Sequence, residues 1–228
     1  MLVGIHQLHY LPWLRYIEKI ARCDVFVMLD SIQYNKNGWQ NRNKIKTPQG
    51  TGLLTVPVLA KEGQRLDEVQ IDNTQFWAKK HWRSIEQSYS KAAYFSEYEA
   101  SLSEIYTRSW DKLNDLNRCM LEFYLKVLGI STPVHYSSEL KVPGEATERL
   151  VNLIKAVDGT EYYSGAFALE SYLDADLLAQ SDISLRLQEW TTPHYSQLHG
   201  TFIPDLAVMD ILMNCGPESL EIIMGNTE

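Results

Sequence analysis

Short apolar runs and amphipathic stretches alternate along the chain, and their spacing predicts its secondary structure. Residues 2–6 form an apolar run typical of a buried strand, and Pro12 favours a turn or a helix start after it. Apolar residues then recur at helical spacing over residues 13–22, and residues 24–30 form a second apolar run. Strand, helix and strand within thirty residues predict a βαβ unit with two parallel strands.

The pattern changes twice further along the chain. Asn37-Gly38 is a turn signal, and residues 39–58 alternate in the manner of a β-hairpin whose returning strand is 51–58. Residues 74–128 carry apolar positions at helical spacing and predict a largely helical block. Beyond it, strands are predicted at 134–140, 161–164 and 183–190, and helices at 145–157, 166–180 and 203–213.

Strands that alternate with helices predict an α/β fold with a parallel-cored sheet, a β-hairpin, and a mostly helical middle and C-terminal region. We expect one α/β domain over residues 1–228, with residues 74–130 as a candidate helical subdomain. No linker rich in Pro, Gly or Ser separates that block from the rest of the chain.

Composition narrows the classes of protein to consider. Hydrophobic residues make up 45% and charged residues 22%, as in an ordinary globular protein. The sequence has no apolar stretch approaching the ~20 residues of a membrane span, and its N-terminus has no basic leader, so we expect a cytoplasmic protein without membrane insertion. Three widely spaced cysteines predict neither a disulfide framework nor a cysteine-based zinc site.

Charge is unevenly distributed. The net charge of −8 argues against non-specific nucleic-acid binding, so no nucleic-acid partner is expected. Residues 1–65 nevertheless hold nine Lys and Arg against four Asp and Glu, whereas the rest of the chain holds twelve against twenty-five. These early basic residues either surround an anion or reflect an uneven solvated surface.

Two histidines and a tyrosine follow the first predicted strand. His6, His9 and Tyr10 stand where ligands bind in an open parallel sheet, at the carboxyl end of a strand. A helix N-terminus at the same place adds amide donors for an anion. The alternatives are structural histidines at a tight turn and a zinc pair, but no third zinc ligand is near in sequence, and we predict no metal site.

Polar residues also follow the second strand. Asp30 ends that strand and is expected to face the same crevice as the histidines. The loop beyond it offers amides and cations suited to phosphate or carboxylate groups. They are Gln33, Tyr34, Lys36, Asn41, Arg42 and Lys44. A solvated loop explains this polarity equally well, although it explains Trp39 less well.

A third, weaker candidate is Tyr163-Ser164-Gly165, whose hydroxyls and glycine suit a sugar or a phosphate. Ser-Gly is also an ordinary turn. The chain has no Gly-x-Ser-x-Gly elbow, no Walker A loop and no Gly-x-Gly-x-x-Gly, so three common enzyme classes lack support.

Several of these motifs together resemble the WbqC-like family. They include IHQLHYLPW at 5–13, DVFVMLDSIQYNK at 24–36, QNR at 40–42, LTVP at 54–57, SSEL at 137–140 and YSG at 163–165. The resemblance covers nearly the whole chain. Leu8 and His9 depart from it, because the family pattern has proline and a polar residue there, and Arg15 stands where the family usually has glycine.

The resemblance implies a bacterial protein linked to surface-polysaccharide or O-antigen synthesis and to nucleotide sugars, without supplying a reaction. A fainter likeness is to nucleotidyltransferases and pantoate–β-alanine ligases, in which a His-x-Gly-His motif after the first strand binds ATP phosphates. The glycine is absent here. This likeness is an analogy of fold only.

The leading hypothesis is an enzyme that modifies a nucleotide-linked aminosugar by acyl or aminoacyl transfer, forming an amide with the sugar amine. His6, assisted by His9, would bind or polarise a phosphate or carbonyl oxygen, and Asp30 would deprotonate or orient the amine. The expected substrate-binding residues are Tyr10, Gln33, Lys36, Asn41, Arg42, Tyr163, Ser164 and Gly165.

The partners expected from this hypothesis are a nucleotide sugar and an acyl or amino-acid donor, and ATP with Mg²⁺ is the candidate co-substrate. The oligomeric state is not predicted. Two alternatives stay open. One is a non-catalytic module that binds a sugar nucleotide or glycan beside a glycosyltransferase, and the other is a metal-assisted hydrolase that uses His6 and Asp30.

Overall fold

The computed structural model describes residues 1–225. In chain order, the strands are β1 (Leu2–Gln7), β2 (Val25–Leu29), β3 (Arg42–Thr47), β4 (Gly50–Thr55), β5 (Val58–Leu59), β6 (Gln70–Ile71), β7 (Val134–Tyr136), β8 (Glu161–Ser164) and β9 (Ser184–Leu187). The α-helices are α1 (Leu14–Arg22), α2 (Trp77–Tyr89), α3 (Phe95–Thr107), α4 (Leu113–Val127), α5 (Ser137–Leu140), α6 (Ala146–Ala156), α7 (Ala166–Ser171), α8 (Ala175–Gln180), α9 (Val208–Cys215) and α10 (Ser219–Met224).

A parallel five-stranded sheet in the order β7-β2-β1-β8-β9 forms the centre of the fold. The predicted α/β class is therefore confirmed, as is the hairpin, in which β3 pairs with β4. From β1 the chain moves outward through β2 to β7, and it then returns to the other side of β1 for β8 and β9. The strand order thus reverses between β1 and β8. In such sheets this switch point opens the crevice that binds ligands.

Both faces of the central strand are buried, as parallel sheets require. On one face, Val3 and Ile5 join a core formed with α6 and α8. On the other face, Leu2 joins a larger core with Ile17 of α1 and Leu116 of α4, and this core extends to α2, α3 and α9. Each of the helices in residues 1–225 is too short or too polar to cross a bilayer.

Several element boundaries differ from the sequence-based expectation: the strand predicted over 183–190 ends at Leu187, and the returning strand of the hairpin ends at Thr55. Three further differences have local reasons. The strand predicted over 134–140 ends at Tyr136, and the next residues form α5. The helix predicted over 166–180 is two helices, because the Asp174 side chain accepts a hydrogen bond from the backbone N–H of Leu177 and starts α8. The last predicted helix begins at Val208, since Pro204 disfavours helical backbone at the residue before it.

Gly4 allows α1 and β2 to approach the middle of β1. A Cβ atom added there would lie 2.5 Å from the ring of Phe26 and 2.8 Å from Sγ of Cys23. Phe26 has no exposed surface and cannot move freely. This glycine is therefore required by packing rather than by its backbone angles.

We expect Gly4→Ala to lower the free energy of unfolding by about 1–3 kcal/mol, because it overpacks a rigid core. Urea denaturation measures this loss. Gly165→Ala is the matched control, since a Cβ atom there would meet nothing within 4 Å. Equal stability of the two variants would show that the space around Gly4 is not limiting.

Candidate functional site

The candidate site lies along the carboxyl edge of the sheet, where β1 and β8 end side by side. The register places Gly4 opposite Tyr163, so the chain segments that leave β1 and β8 emerge at the same edge. His6 and Gln7 are the last residues of β1, and Ser164 is the last residue of β8. The structure thus places the backbone of the first and third candidate groups at the same edge of the sheet, at the switch point.

His6 is half-buried and has one nitrogen committed to the backbone. Its Nδ1 atom lies 3.1 Å from the carbonyl oxygen of Gln7. A carbonyl oxygen only accepts, so in the neutral ring Nδ1 carries the proton and Nε2 keeps its lone pair. Burial, and then the charge of Lys19, lowers the pKa of His6 to about 3. At neutral pH, His6 is therefore uncharged and presents an acceptor nitrogen.

His9 forms the other half of the pair. The ring centroids of His6 and His9 are 4.9 Å apart in an edge-to-face arrangement, and Tyr16 contacts both rings. His9 is buried, and its Nδ1 atom has no hydrogen-bond partner among the described residues. Burial, with a further contribution from His6, lowers its pKa well below the usual value. Both rings are therefore neutral.

A buried cation lies close to this pair. Lys19 of α1 is 6% exposed, and its ammonium forms no ion pair or hydrogen bond within residues 1–225. Burial is the main cause that lowers the pKa of Lys19 to about 8. The adjacent Glu18 carboxylate is occupied by Arg22 and by the hydroxyl of Tyr163. Lys19 is thus a positive charge beside His6 that Glu18 attracts without a direct ion pair, and the sequence analysis did not propose it as a site residue.

Asp30 follows β2 and is completely buried. Its carboxylate accepts hydrogen bonds from the Ser137 hydroxyl at 3.0 Å and from the Ser138 backbone N–H and hydroxyl at 2.9 and 2.7 Å. Arg118 of α4 forms an ion pair with it. Burial alone would raise the pKa of Asp30, but the donors of Ser138 and Arg118 outweigh it, and the pKa is lowered. Asp30 is therefore an ionised carboxylate whose oxygens are already engaged.

Arg118 is the neighbour of Asp30 that the sequence analysis did not identify. Its guanidinium lies 3.6 Å from the ring centroid of Tyr136 and also contacts Glu139 at 2.9 Å. It sits in the middle of a helix 88 positions from Asp30, and no local pattern in the sequence marks it. The SSEL motif at 137–140 was noted in the sequence, but nothing in it indicates Arg118 as the partner of the same carboxylate.

Two tryptophans, Trp13 and Trp39, connect the polar loop after β2 to His9. Trp13 lies 5.4 Å from the ring of His9 and 4.9 Å from that of Trp39. Arg42 and Lys44 of β3 lie 5.8 and 5.6 Å from the Trp39 ring. The basic side chains of the hairpin are therefore connected to the histidine pair by a continuous series of aromatic contacts.

Several predicted residues lie elsewhere. The buried Tyr10 points into the helical core, where its hydroxyl lies 2.6 Å from that of Tyr106. Gln33 and Lys36 are exposed on the loop. Asn41 is buried, and its side-chain amide donates to the carbonyl of Val56 at 2.8 Å. The structure does not bring these four side chains into contact with the histidines.

The three predicted residues at the end of β8 have different surroundings. The hydroxyl of Tyr163 donates to Glu18 at 3.1 Å and faces α1. Ser164 is buried, and Gly165 begins the turn into α7 with open space where a side chain would lie. Gly165 is thus the part of this motif with room beside it.

Within residues 1–225, no three His, Cys, Asp or Glu side chains are grouped so as to hold a metal ion. The metal-assisted hydrolase therefore gains no support from the donor set. A Mg²⁺ ion that accompanies a nucleotide needs less from the protein, because phosphates and waters supply most of its ligands.

Sequence comparison assigns the chain to one protein family. The pattern of the WbqC-like protein family matches residues 7–222, which include His9, Asp30 and the end of β8, and begin one residue after His6. The chain belongs to the WbqC-like protein family. This WbqC-like protein is also 40% identical over 221 residues to the uncharacterized protein Rv1507c of Mycobacterium tuberculosis, and the alignment covers 95% of each chain. No solved structure matches the chain.

We expect His6 to make this WbqC-like protein sensitive to acid. Its pKa is lower in the folded state than the ordinary 6.5, so its contribution to stability is complete above pH 6.5 and is lost as the pH falls toward 3. Between pH 7 and pH 5, the free energy of unfolding of the wild type should fall by about 2 kcal/mol more than that of His6→Asn. Urea denaturation at several pH values measures this difference.

His135→Asn is the control for that series, because His135 is exposed on β7. It should leave the pH dependence as in the wild type. If His6→Asn also leaves it unchanged, the assignment of a neutral buried ring to His6 is wrong.

The ion pair of Asp30 and Arg118 predicts a coupled effect on stability. Arg118→Met removes a donor from a buried carboxylate and should lower the free energy of unfolding by about 2–4 kcal/mol. Adding Asp30→Asn removes the buried charge and should restore about 1 kcal/mol or more. A denaturant double-mutant cycle measures the coupling. Arg65→Met, which breaks the exposed pair with Asp67, is the surface control and should change stability little.

Proposed function

We propose that this WbqC-like protein is an enzyme that transfers an acyl or aminoacyl group to the amine of a nucleotide-linked sugar. The observation that carries the proposal is the neutral His6 ring, whose Nε2 is free at the switch point of a parallel sheet. Counted along the chain, the strands of this sheet have the order 3-2-1-4-5, which is the arrangement of mononucleotide-binding α/β folds. Such a transfer needs a bound nucleotide sugar and a proton-accepting side chain close to it, and both would lie at the carboxyl edge of this sheet.

The protonation state of His6 favours a role as proton acceptor over a role in polarising a carbonyl oxygen. A neutral ring with a free Nε2 accepts a proton, whereas polarising a carbonyl oxygen requires a donor there. The sugar amine attacks the carbonyl carbon of a donor whose carboxyl group has been activated by ATP. The C–N bond forms, the bond from that carbon to the phosphate oxygen breaks, and Nε2 of His6 takes the amine proton.

The remaining groups have supporting roles in this proposal. Arg42 and Lys44 supply positive charges for the diphosphate of the nucleotide sugar. The backbone at Gly165 has open space beside it, which leaves room for the substrate. Burial, reinforced by the positive charge of Lys19, keeps His6 neutral in the absence of substrate. The engaged carboxylate of Asp30 orients neighbouring groups rather than taking a proton, because its oxygens already accept several hydrogen bonds.

The biological setting belongs to the same proposal. The family resemblance implies bacterial surface-polysaccharide or O-antigen synthesis, in which aminosugars are modified while linked to a nucleotide. Family membership supports this setting and leaves the sugar and the acyl donor open.

Ligand binding and turnover with His6→Asn test the proposal. Purified protein is mixed with ATP and Mg²⁺, with UDP- and dTDP-linked aminosugars, and with amino acids, and its thermal unfolding is followed. A ligand at about 100 times its Kd stabilises the fold by ~2.7 kcal/mol, which is easily measured. We expect a nucleotide or a nucleotide sugar to stabilise the wild type, and mass spectrometry of the mixture to detect an amide product.

His6→Asn should abolish the product, while the exposed His135→Asn should retain it. Full activity of His6→Asn would overturn the assignment of the base. Binding of a sugar nucleotide without any product would instead favour the non-catalytic binding module.

A further inference from the structure

The buried cation beside His6 has no partner of its own in the described part of the chain. Lys19 is 6% exposed, and its ammonium forms neither an ion pair nor a hydrogen bond within residues 1–225. A second buried lysine is different, because the ammonium of Lys46 has three oxygen acceptors within 3.3 Å, on Gln197, Gly200 and Thr201. The protein thus supplies acceptors for one buried ammonium and not for the other.

Glu18 attracts the charge of Lys19 but does not pair with it. Consecutive residues of a helix do not face each other. The Glu18 carboxylate accepts hydrogen bonds from Arg22 at 2.9 Å and from the Tyr163 hydroxyl at 3.1 Å. A buried charge is costly unless a partner and hydrogen bonds compensate it. The ammonium of Lys19 therefore suits an anionic ligand.

The direction of α1 places this ammonium toward the carboxyl edge of the sheet. The helix leads from the end of β1 back to the start of the parallel strand β2, so it begins at that edge. Helical side chains lean toward the start of their helix, and Lys19 therefore leans toward the same edge. It lies one turn beyond Tyr16, whose ring is 4.7 Å from that of His6, and its charge acts on His6.

Both groups keep some accessible surface. Within residues 1–225, the buried polar side-chain atoms that lack both accessible surface and a hydrogen bond include neither the Lys19 ammonium nor Nε2 of His6. Neither nitrogen has a hydrogen bond there. Each therefore has surface through which a small ligand reaches it.

The two groups together select the chemistry of that ligand. Lys19 offers N–H donors and a positive charge, whereas Nε2 of His6 is an acceptor, because Nδ1 donates to the carbonyl oxygen of Gln7. A ligand that satisfies both must carry negative charge and also donate a hydrogen bond. Carboxylate and sulfate only accept. Phosphate at pH 7 carries negative charge and keeps a P–OH group, so it satisfies both.

We propose that the Lys19 ammonium and Nε2 of His6 form a binding site for hydrogen phosphate, in which the charged oxygens face Lys19 and the P–OH group donates to His6. The binding itself does not depend on the proposed function. Only the source of the ion rests on that function, since phosphate would be the group that leaves an acyl phosphate donor. His6 would take the amine proton and pass it to the leaving phosphate oxygen, which releases hydrogen phosphate and returns the ring to its neutral state.

Isothermal titration calorimetry of the full-length protein tests the site without any nucleotide. The probes are sodium phosphate, sodium sulfate and sodium acetate at pH 7 and constant ionic strength, because salt screens the attraction between charges. We expect phosphate to bind, and sulfate and acetate to bind about tenfold more weakly or less, since neither donates a hydrogen bond to His6.

Two substitutions separate the charge of the site from its acceptor. Lys19→Met keeps the length of the side chain and should weaken phosphate binding about tenfold or more. Lys126→Met removes the same charge from an exposed position on α4 and should leave the affinity unchanged. His6→Leu removes the acceptor, so phosphate and sulfate should then bind with similar affinity. This change in selectivity tests the site independently of Lys19→Met, and circular dichroism confirms that each variant is folded.

The inference is overturned if the wild type does not bind phosphate or binds sulfate as tightly. It also fails if folded Lys19→Met binds like Lys126→Met, or if His6→Leu keeps the selectivity of the wild type. Assays of amide formation keep the two proposals apart. If phosphate binds as expected and no amide forms, the phosphate site stands and the proposed function fails. If the wild type forms an amide that requires His6 while no phosphate binds, the reverse holds.

Discussion

The carboxylate of Asp30 carries a negative charge with no exposed surface, and much of the sheet edge is arranged around it. Ser137, Ser138 and Arg118 supply its hydrogen bonds and its counter-charge. These partners come from α5, which follows β7, and from α4 in the helical block. A buried charge without such partners would cost several kcal/mol. The same interaction therefore holds the end of β2, the turn after β7 and the helical block in one place.

The histidine pair differs from Asp30, because its rings are uncharged. Burial lowers the pKa of both rings and keeps them neutral, although His6 is only half-buried, and the charge of Lys19 reinforces the effect at His6. Burial, and to a smaller extent the charge of Lys19, therefore leaves a neutral imidazole at the end of the central strand. The site thus combines a neutral imidazole with a nearby positive charge, at the switch point of the sheet.

The sequence was sufficient for the parallel sheet and the hairpin because their signals are local. Apolar runs mark β1 and β2, and Asn37-Gly38 precedes the hairpin. The same local logic located His6 and Asp30 at strand ends. It could not identify Arg118, because Arg118 lies in the middle of a helix and local sequence patterns do not reveal a pairing with Asp30, 88 positions away.

Tyr10 is the opposite case, in which proximity in sequence was misleading. It follows His9 directly, yet its side chain turns to the helical core and joins His81 and Tyr106. Leu11, with a φ of 48°, lies in the left-handed region next to it, so the backbone changes direction there. A turn of this kind separates neighbours onto different surfaces, and hydrophobic periodicity gives no information about it.

The helical block is inserted between two adjacent strands of the sheet, and this has a consequence for how the chain folds. β1 and β2 are complete within the first 29 residues, but the partner of Asp30 at the end of β7 lies 107 positions further on. Contacts that close such long loops form late and slow the folding of parallel sheets. During synthesis, the first two strands emerge well before the strands that flank them. Their open edges must stay unpaired until the helical block has been made, so the early βαβ unit is the part of the chain most exposed to aggregation before folding is complete.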